Sequence, residues 1–171
     1  LTALPMRSVG VKSDLRAYEH PVLITGSLDW PALLALAGTV YKQVPGVNRC
    51  LWNLADAAPR QIRPLPAYTT RERLDRLREA DALVMDGLRR HGLYDAIWQC
   101  PTVLVPLEID GRGQELVIVR PVHSERAMTA TPAQLPETLL DELRRSLRAL
   151  PGVGGVALDI TTKPPGTIEW E

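Results

Sequence analysis

Hydrophobic and polar positions change period several times along the chain, and each change marks an element. Apolar and β-branched residues crowd Leu1 to Val11 and again Tyr18 to Thr25, with the polar KSDLR between them. That spacing predicts two strands of a hairpin. Trp30 to Gln43 reads as a helix, with Asp29 as N-cap and Pro31 in the first turn, where a missing N–H does no harm. Residues 55–68 hold three prolines and four charged or amide side chains and read as a linker. A long helix follows from Thr70 to His91, with Thr69 and Glu72 as a capping box, Leu74, Leu77, Val84 and Leu88 on one face, and Gly92 as the stop. Strands are predicted at Thr102 to Ile109 and Glu115 to Val122 around a DGRG turn. A helix from Glu137 to Ala149 and a strand from Val153 to Ile160 complete the chain.

The pattern repeats. PGVNRCLWNL (45–54) lies without gaps on PGVGGVALDI (151–160), each following a helix and opening a strand. In the same alignment Leu33 and Leu34 fall on Leu139 and Leu140, Tyr41 on Leu147, and Val44 on Leu150, so the preceding helices share an apolar face. With a small change of length, ALP (3–5) matches LVP (104–106). We read an α+β fold of two related lobes, 1–54 and 69–171, each a small, mainly antiparallel sheet with helices packed on one face.

Composition narrows what such lobes can do. Lys plus Arg equals Asp plus Glu at 20 each, so an anion site must be local rather than a property of the whole surface. Neither nucleic acid nor membrane is an expected partner: the longest charge-free apolar stretch, Trp30 to Tyr41, falls short of the ~20 residues a spanning helix needs. Cys50 and Cys100, far apart and outside any CxxC, read as reduced buried thiols of a cytoplasmic protein. His20, His91 and His123 show no metal-ligand spacing, no GxSxG elbow occurs, and GVGGV opens a strand where a phosphate loop would open a helix. The chain starts on Leu1 rather than Met, from which we expect part of a longer polypeptide.

Two stretches suit a ligand that combines hydroxyls with an anion. In SDLR, Asp14 and Arg16 alternate, so an extended backbone aims both to one side. The pair reads either as a grip on a ribose diol and a phosphate or as a solvated turn whose ion pair is worth at most ~1 kcal/mol. The terminal KPPGTIEWE sets Lys163 before two prolines, whose fixed φ predicts an extended strut that presents the ammonium or merely leaves it at the surface.

TTKPPGTIEWE closely resembles the terminal signature of the glutamine-hydrolysing GMP synthases, the purine-pathway ligases that aminate xanthosine monophosphate (XMP). LPMRSVGVKSDLRAY (4–18), VPGVNR (44–49), GLYDAIWQ (92–99) and HSERAMTA (123–130) resemble further pieces of that family's C-terminal dimerisation domain. The doubling resembles the family's long form, which carries two tandem copies. The resemblance implies an XMP site on Asp14, Arg16, Gln99, Lys163 and Glu169. In it Lys163 and Arg16 would neutralise the 5′-phosphate and Asp14 would take a ribose hydroxyl. Gln99 and Glu169 would complete the pocket, Glu169 through its carboxylate or its backbone. Ser13 departs from the family's usual Gly. The tail should then be ordered by docking on the second lobe, with its prolines reducing the entropy lost and Trp170 as apolar anchor.

The nucleophilic Cys motif of the amidotransferase and the SGGxDS loop of the ATP pyrophosphatase are both missing from these 171 residues. The resemblance therefore implies no catalytic residue and no cofactor on this chain, with ATP and Mg serving the parent enzyme. Expected partners are XMP, the amidotransferase and ATP pyrophosphatase domains, and a second copy in a homo-oligomer. The competing expectation is a purely structural dimerisation domain. An RNA-binding module of the KH type would need GxxG between helices, and GVGG precedes a strand.

Overall fold

A computed structural model describes residues 1–170 except Ser13, Asp14, Asp56 and Arg112. The order is β1 (Thr2–Ala3), β2 (Ser8–Lys12), β3 (Leu15–Ile24), α1 (Trp30–Gln43), β4 (Val47–Asn53), β5 (Ile62–Pro64) and α2 (Arg71–Arg90). Then come β6 (Thr102–Val105), β7 (Leu107–Ile109), β8 (Glu115–Val119), β9 (Val122–His123), β10 (Thr131–Pro132), α3 (Glu137–Ala149) and β11 (Val153–Asp159). The fold is α+β.

The strands of both halves join into one seven-stranded mixed sheet, ordered β1-β3-β4-β11-β8-β6, with β2 paired on β3. β3 runs parallel to β4 and β8 parallel to β11, each pair joined across a helix as parallel strands require. The two halves meet where β4 and β11 pair antiparallel, with Trp52 opposite Leu158, Leu51 opposite Asp159 and Asn53 opposite Ala157. Trp52 and Leu158 occupy the same place in the repeated decapeptide, so a local twofold passes between them.

Helix stripes supply the main core. Leu33, Ala37 and Val40 of α1, Ala80, Val84 and Leu88 of α2, and Leu139, Leu143 and Leu147 of α3 all face the sheet, at the three- and four-residue spacing of a single helix face. The opposite face is also covered. There Leu4, Leu23, Leu51, Leu107, Leu116 and Ile118 pack under Ile62, Ile109 and Trp170. The cover consists of a β5–β7 ribbon, with Ile62 paired to Ile109, and the C-terminal tail.

Both shorter helices fall where the apolar spacing predicts. Other details differ. The N-cap of α2 is Thr70, whose Oγ1 accepts from the Arg73 N–H at 3.3 Å, not Thr69; Glu72 closes no capping box and pairs with Arg76 instead. The first predicted strand divides into β1 and β2 at a turn in which the Met6 N–H donates to the Leu4 carbonyl. Thr102 to Ile109 divides at Pro106, which lacks the N–H to continue the ladder, so β6 stays in the main sheet and β7 turns to β5. Pro121 likewise separates β8 from β9. β5 itself lies inside the proline-rich stretch that reads as linker.

Candidate functional site

After β11 the chain does not fray. Thr161 is buried, its Oγ1 accepting from the Cys50 N–H at 3.0 Å. Gly166 bridges to Gly10 of β2, and the Val11 N–H donates to the Pro165 carbonyl at 2.7 Å. A Cβ at Gly10 would stand 2.6 Å from that Pro165 oxygen, so only glycine lets the tail lie this close.

Beneath the tail sits a charge cluster that is fully buried. Asp159 receives the Arg49 guanidinium at 3.0 Å on Oδ2 and that of Arg120 at 2.9 Å on Oδ1, all three side chains being 0% exposed. The Thr161 N–H and the Trp170 indole N–H complete its shell at 2.9 Å each. Burial pushes the Asp159 carboxyl up, but the Arg120 and Arg49 cations and the Thr161 hydrogen bonds prevail and hold it below the usual carboxylate range. The arginines then reach the tail. Arg49 Nη2 donates to Thr167 Oγ1 at 2.7 Å and to the Glu169 carbonyl at 2.9 Å, while Arg120 donates to the Ile168 carbonyl at 2.9 Å and the Thr161 carbonyl at 3.1 Å. Trp170 stacks on Arg49 at 4.5 Å, so it anchors by its ring face, its N–H and its apolar packing together.

The tail turn holds Lys163. Instead of an extended strut, the Lys163–Pro164 and Pro164–Pro165 bonds are both cis, and the run is a turn in which the Gly166 N–H donates to the Thr162 carbonyl at 3.1 Å. Lys163 pairs its backbone with Ala130 in both directions, and its half-buried ammonium donates to the Ala127 carbonyl at 2.7 Å. Arg16 is exposed on β3, directly across the ladder from Val11, the residue that holds Pro165. Val11 thus stands between the Arg16 backbone and the Lys163 turn, and both lie at one end of the sheet. Gln99 is exposed, its backbone bridged to Val122 of the β9–β10 ribbon, whose next residues lead to Ala130 and so to Lys163. Glu169 spends its carbonyl on Arg49 and Thr167 and turns an exposed side chain outward. Asp14 lies outside the described residues.

The loop 124–130 closes this region. Ser124 organises it, donating to the Thr129 carbonyl at 2.7 Å and accepting from the Ala127 N–H at 2.9 Å. A cleft of 640 Å³, in the size range of small-molecule sites, is lined by His123, Glu125, Arg126, Met128 and Thr129. Its polar lining includes the His123 imidazole, the Arg126 guanidinium and the Glu125 carboxylate, while the Lys163 ammonium is held by the Ala127 carbonyl of the same loop. Arg49, Arg120 and Asp159 were not singled out from the sequence. The signal was a single charge within each of three apolar runs, VNRCLW, LVIVRPV and VALDI.

These features define an α+β domain whose lysine-bearing C-terminal turn is docked across both halves of one sheet. The family described as GMP synthase C terminal domain matches residues 86–170, and the second half of the chain is similar to that family. A probable glutamine-hydrolysing GMP synthase of Leptospira interrogans (serogroup Icterohaemorrhagiae) is 34% identical over 171 residues, covering 98% of this chain and 28% of that protein. The GMP synthase of Thermotoga maritima is 46% identical over 109 residues, and that of Leifsonia xyli 50% over 110; each covers 60% of this chain and 22% of its own length. The chain spans under a third of the curated relatives it matches.

Proposed function

We propose that this chain is the C-terminal XMP-binding and assembly module of a glutamine-hydrolysing GMP synthase, in the arrangement with two tandem copies. The observation that carries the reading is the docked tail. It seats Lys163 beside the loop 124–130, at the end of the sheet where Arg16 stands across Val11 from the tail. Lys163 would exchange the Ala127 carbonyl for a phosphate oxygen, a charge-assisted bond in place of a neutral acceptor. Arg16 would share the phosphate charge, Asp14 would accept from the ribose, and Gln99 would hydrogen-bond at the rim. With its carbonyl already held by Arg49, Glu169 would act through its outward carboxylate or simply as part of the wall. ATP, Mg and ammonia would be handled by the parent enzyme's other domains.

The tandem arrangement has its own support. One relative aligns over 98% of the chain, whereas others align over only 60% of it, and the strand order reads the same from either edge toward β4 and β11. Two copies packed on one sheet would give in a single chain the contact that single-copy relatives would need a second subunit to make.

Steady-state kinetics of the longer enzyme carrying this chain test the reading. Lys163→Ala and Arg16→Ala should each raise KM for XMP at least about tenfold, the weight of one charge-assisted hydrogen bond. Unchanged KM in both variants rejects the site and leaves a structural assembly domain.

A further inference from the structure

Arg49 belongs to the first half of the chain, yet most of what it holds belongs to the second. We propose that it is the positioning residue that locks the C-terminal turn in register, so that a nucleotide site at Lys163 exists only while the first lobe is packed on the second. The inference rests on the XMP reading above.

The repeat supplies an internal comparison. Asp159 of β11 stands where Asn53 stands in β4, and the two do the same local work: Asp159 Oδ1 accepts from the Thr161 N–H at 2.9 Å, and Asn53 Oδ1 from the Ala55 N–H at 3.1 Å. Asn53 Nδ2 also donates to Thr25 Oγ1 at 3.3 Å and to the Ala57 carbonyl at 3.2 Å, a neutral version of the same closure. The halves part at Arg49. Its counterpart is Gly155, where a Cβ would stand 2.7 Å from Ile109 Cδ1, so an apolar side chain from the β5–β7 ribbon takes that space. Closing the strand exit of a lobe therefore needs neither an arginine nor an ion pair. The charged version occurs where the following segment carries Lys163.

The geometry of Arg49 fits a lock. One guanidinium joins three segments: Asp159 of β11, the Val9 carbonyl of β2 at 3.2 Å, and the tail at Thr167 and Glu169. Its Nε and Arg120 Nη2 are buried without a hydrogen-bond partner. Stability alone would favour apolar side chains in such a place, whereas several directional bonds aimed at one segment select a single register. Arg49 would act through the tail, fixing Thr167 and Glu169 on the far side of the turn from Lys163.

The test compares Arg49→Met, Arg49→Lys, Thr167→Val, Lys163→Ala and Asn53→Ala in the longer enzyme. Two quantities are read: the rate at which carboxypeptidase trims the C-terminus, followed by mass spectrometry, and kcat and KM for XMP at saturating ATP and glutamine. Arg49→Met should speed trimming and raise KM for XMP, each at least about tenfold, with kcat at saturating XMP changed less than about threefold. Arg49→Lys keeps a cation for Asp159 but cannot span Thr167 and Glu169, so it should fall between. Thr167→Val, which removes one hydroxyl and leaves the buried charges intact, should shift both readouts the same way even if Arg49→Met fails to fold. Lys163→Ala should raise KM without speeding trimming, and Asn53→Ala should change neither.

Faster trimming in the Arg49 and Thr167 variants with unchanged KM, while Lys163→Ala raises it, overturns the positioning role and spares the site. Unchanged KM in every variant overturns the site itself, and the positioning role with it.

Discussion

Asp159→Asn is the sharpest perturbation of this molecule, because it removes one charge and almost no volume. In the native protein two guanidiniums, both 0% exposed, face that single carboxylate at 2.9 and 3.0 Å. Deleting one partner of a buried ion pair costs about 3–5 kcal/mol, since the remaining charge is left in low dielectric without its counter-ion. Here two cations would be stranded, and an amide N–H₂ would replace an oxygen that now accepts from an arginine and either Trp170 or Thr161. The loss should therefore sit at or above the upper end of that range, a large part of the ~5–15 kcal/mol that holds a domain together. Urea unfolding followed by far-ultraviolet circular dichroism, with wild type and variant side by side, measures it.

The triple replacement Arg49→Met, Asp159→Leu, Arg120→Met sharpens the reasoning. Apolar side chains of similar volume need no counter-ion, so this variant should be more stable than Asp159→Asn and within a few kcal/mol of wild type. Its tail, however, should be open to carboxypeptidase. A loss below about 1 kcal/mol for Asp159→Asn, or a triple variant that unfolds as easily as the single one, would refute the account of the cluster as a costly but register-defining lock.

Gly10→Ala should release the tail while keeping the sheet, because its Cβ meets the Pro165 backbone oxygen at 2.6 Å and Asn48 Nδ2 at 2.8 Å; carboxypeptidase trimming at unchanged circular dichroism checks it. Burial pushes the thiols of Cys50 and Cys100 up to about 12, so Ellman's reagent at pH 8 should find neither in the native protein and both after denaturation. The Asp159 carboxyl is held low in the folded state, so the stability it contributes is complete well above its unfolded pKa of about 3.9 and is lost as pH falls below that value. Urea unfolding between pH 3 and 6 should show that acid loss in wild type and a weaker one in the triple apolar variant.

Much of the fold was legible from period alone. α1 and α3 carry apolar residues at helical spacing between clear stops, and the gapless repeat announced that one half resembles the other. The interruptions at Pro106 and Pro121 were legible in principle, since proline cannot continue a ladder. What local pattern could not give was long-range pairing: that β4 and β11 would fuse the halves into one sheet, or that β5 would leave a proline-rich stretch to cover its second face. The tail shows the same division. Its order followed from composition, but its conformation did not, because it is fixed largely by residues distant in sequence, Arg49 by 118 and 120 positions and Arg120 by 48. Lys163 stood out beside two prolines, whereas Arg49, Arg120 and Asp159 looked like ordinary interruptions of apolar strands.

That contrast bears on how a symmetric scaffold comes to hold an asymmetric site. A local twofold through Trp52 and Leu158 gives both strand exits similar backbone surroundings, and each following segment crosses to the other half: β5 pairs with β7, and the tail pairs with β2. Geometry alone would make two equivalent pockets. Side-chain chemistry separates them, because Ile109 fills the space beside Gly155 while Arg49 fills the corresponding space on the other side and extends bonds to the tail. The position matching Lys163 is then Ala57, which has no charge to offer a phosphate. One crossing is closed by apolar contact and serves packing; the other is closed by buried charge, which holds a specific register at the expense of stability. A nucleotide bound at the Lys163 turn should therefore occur once per chain, and calorimetry returning two equivalent sites would contradict this division of labour.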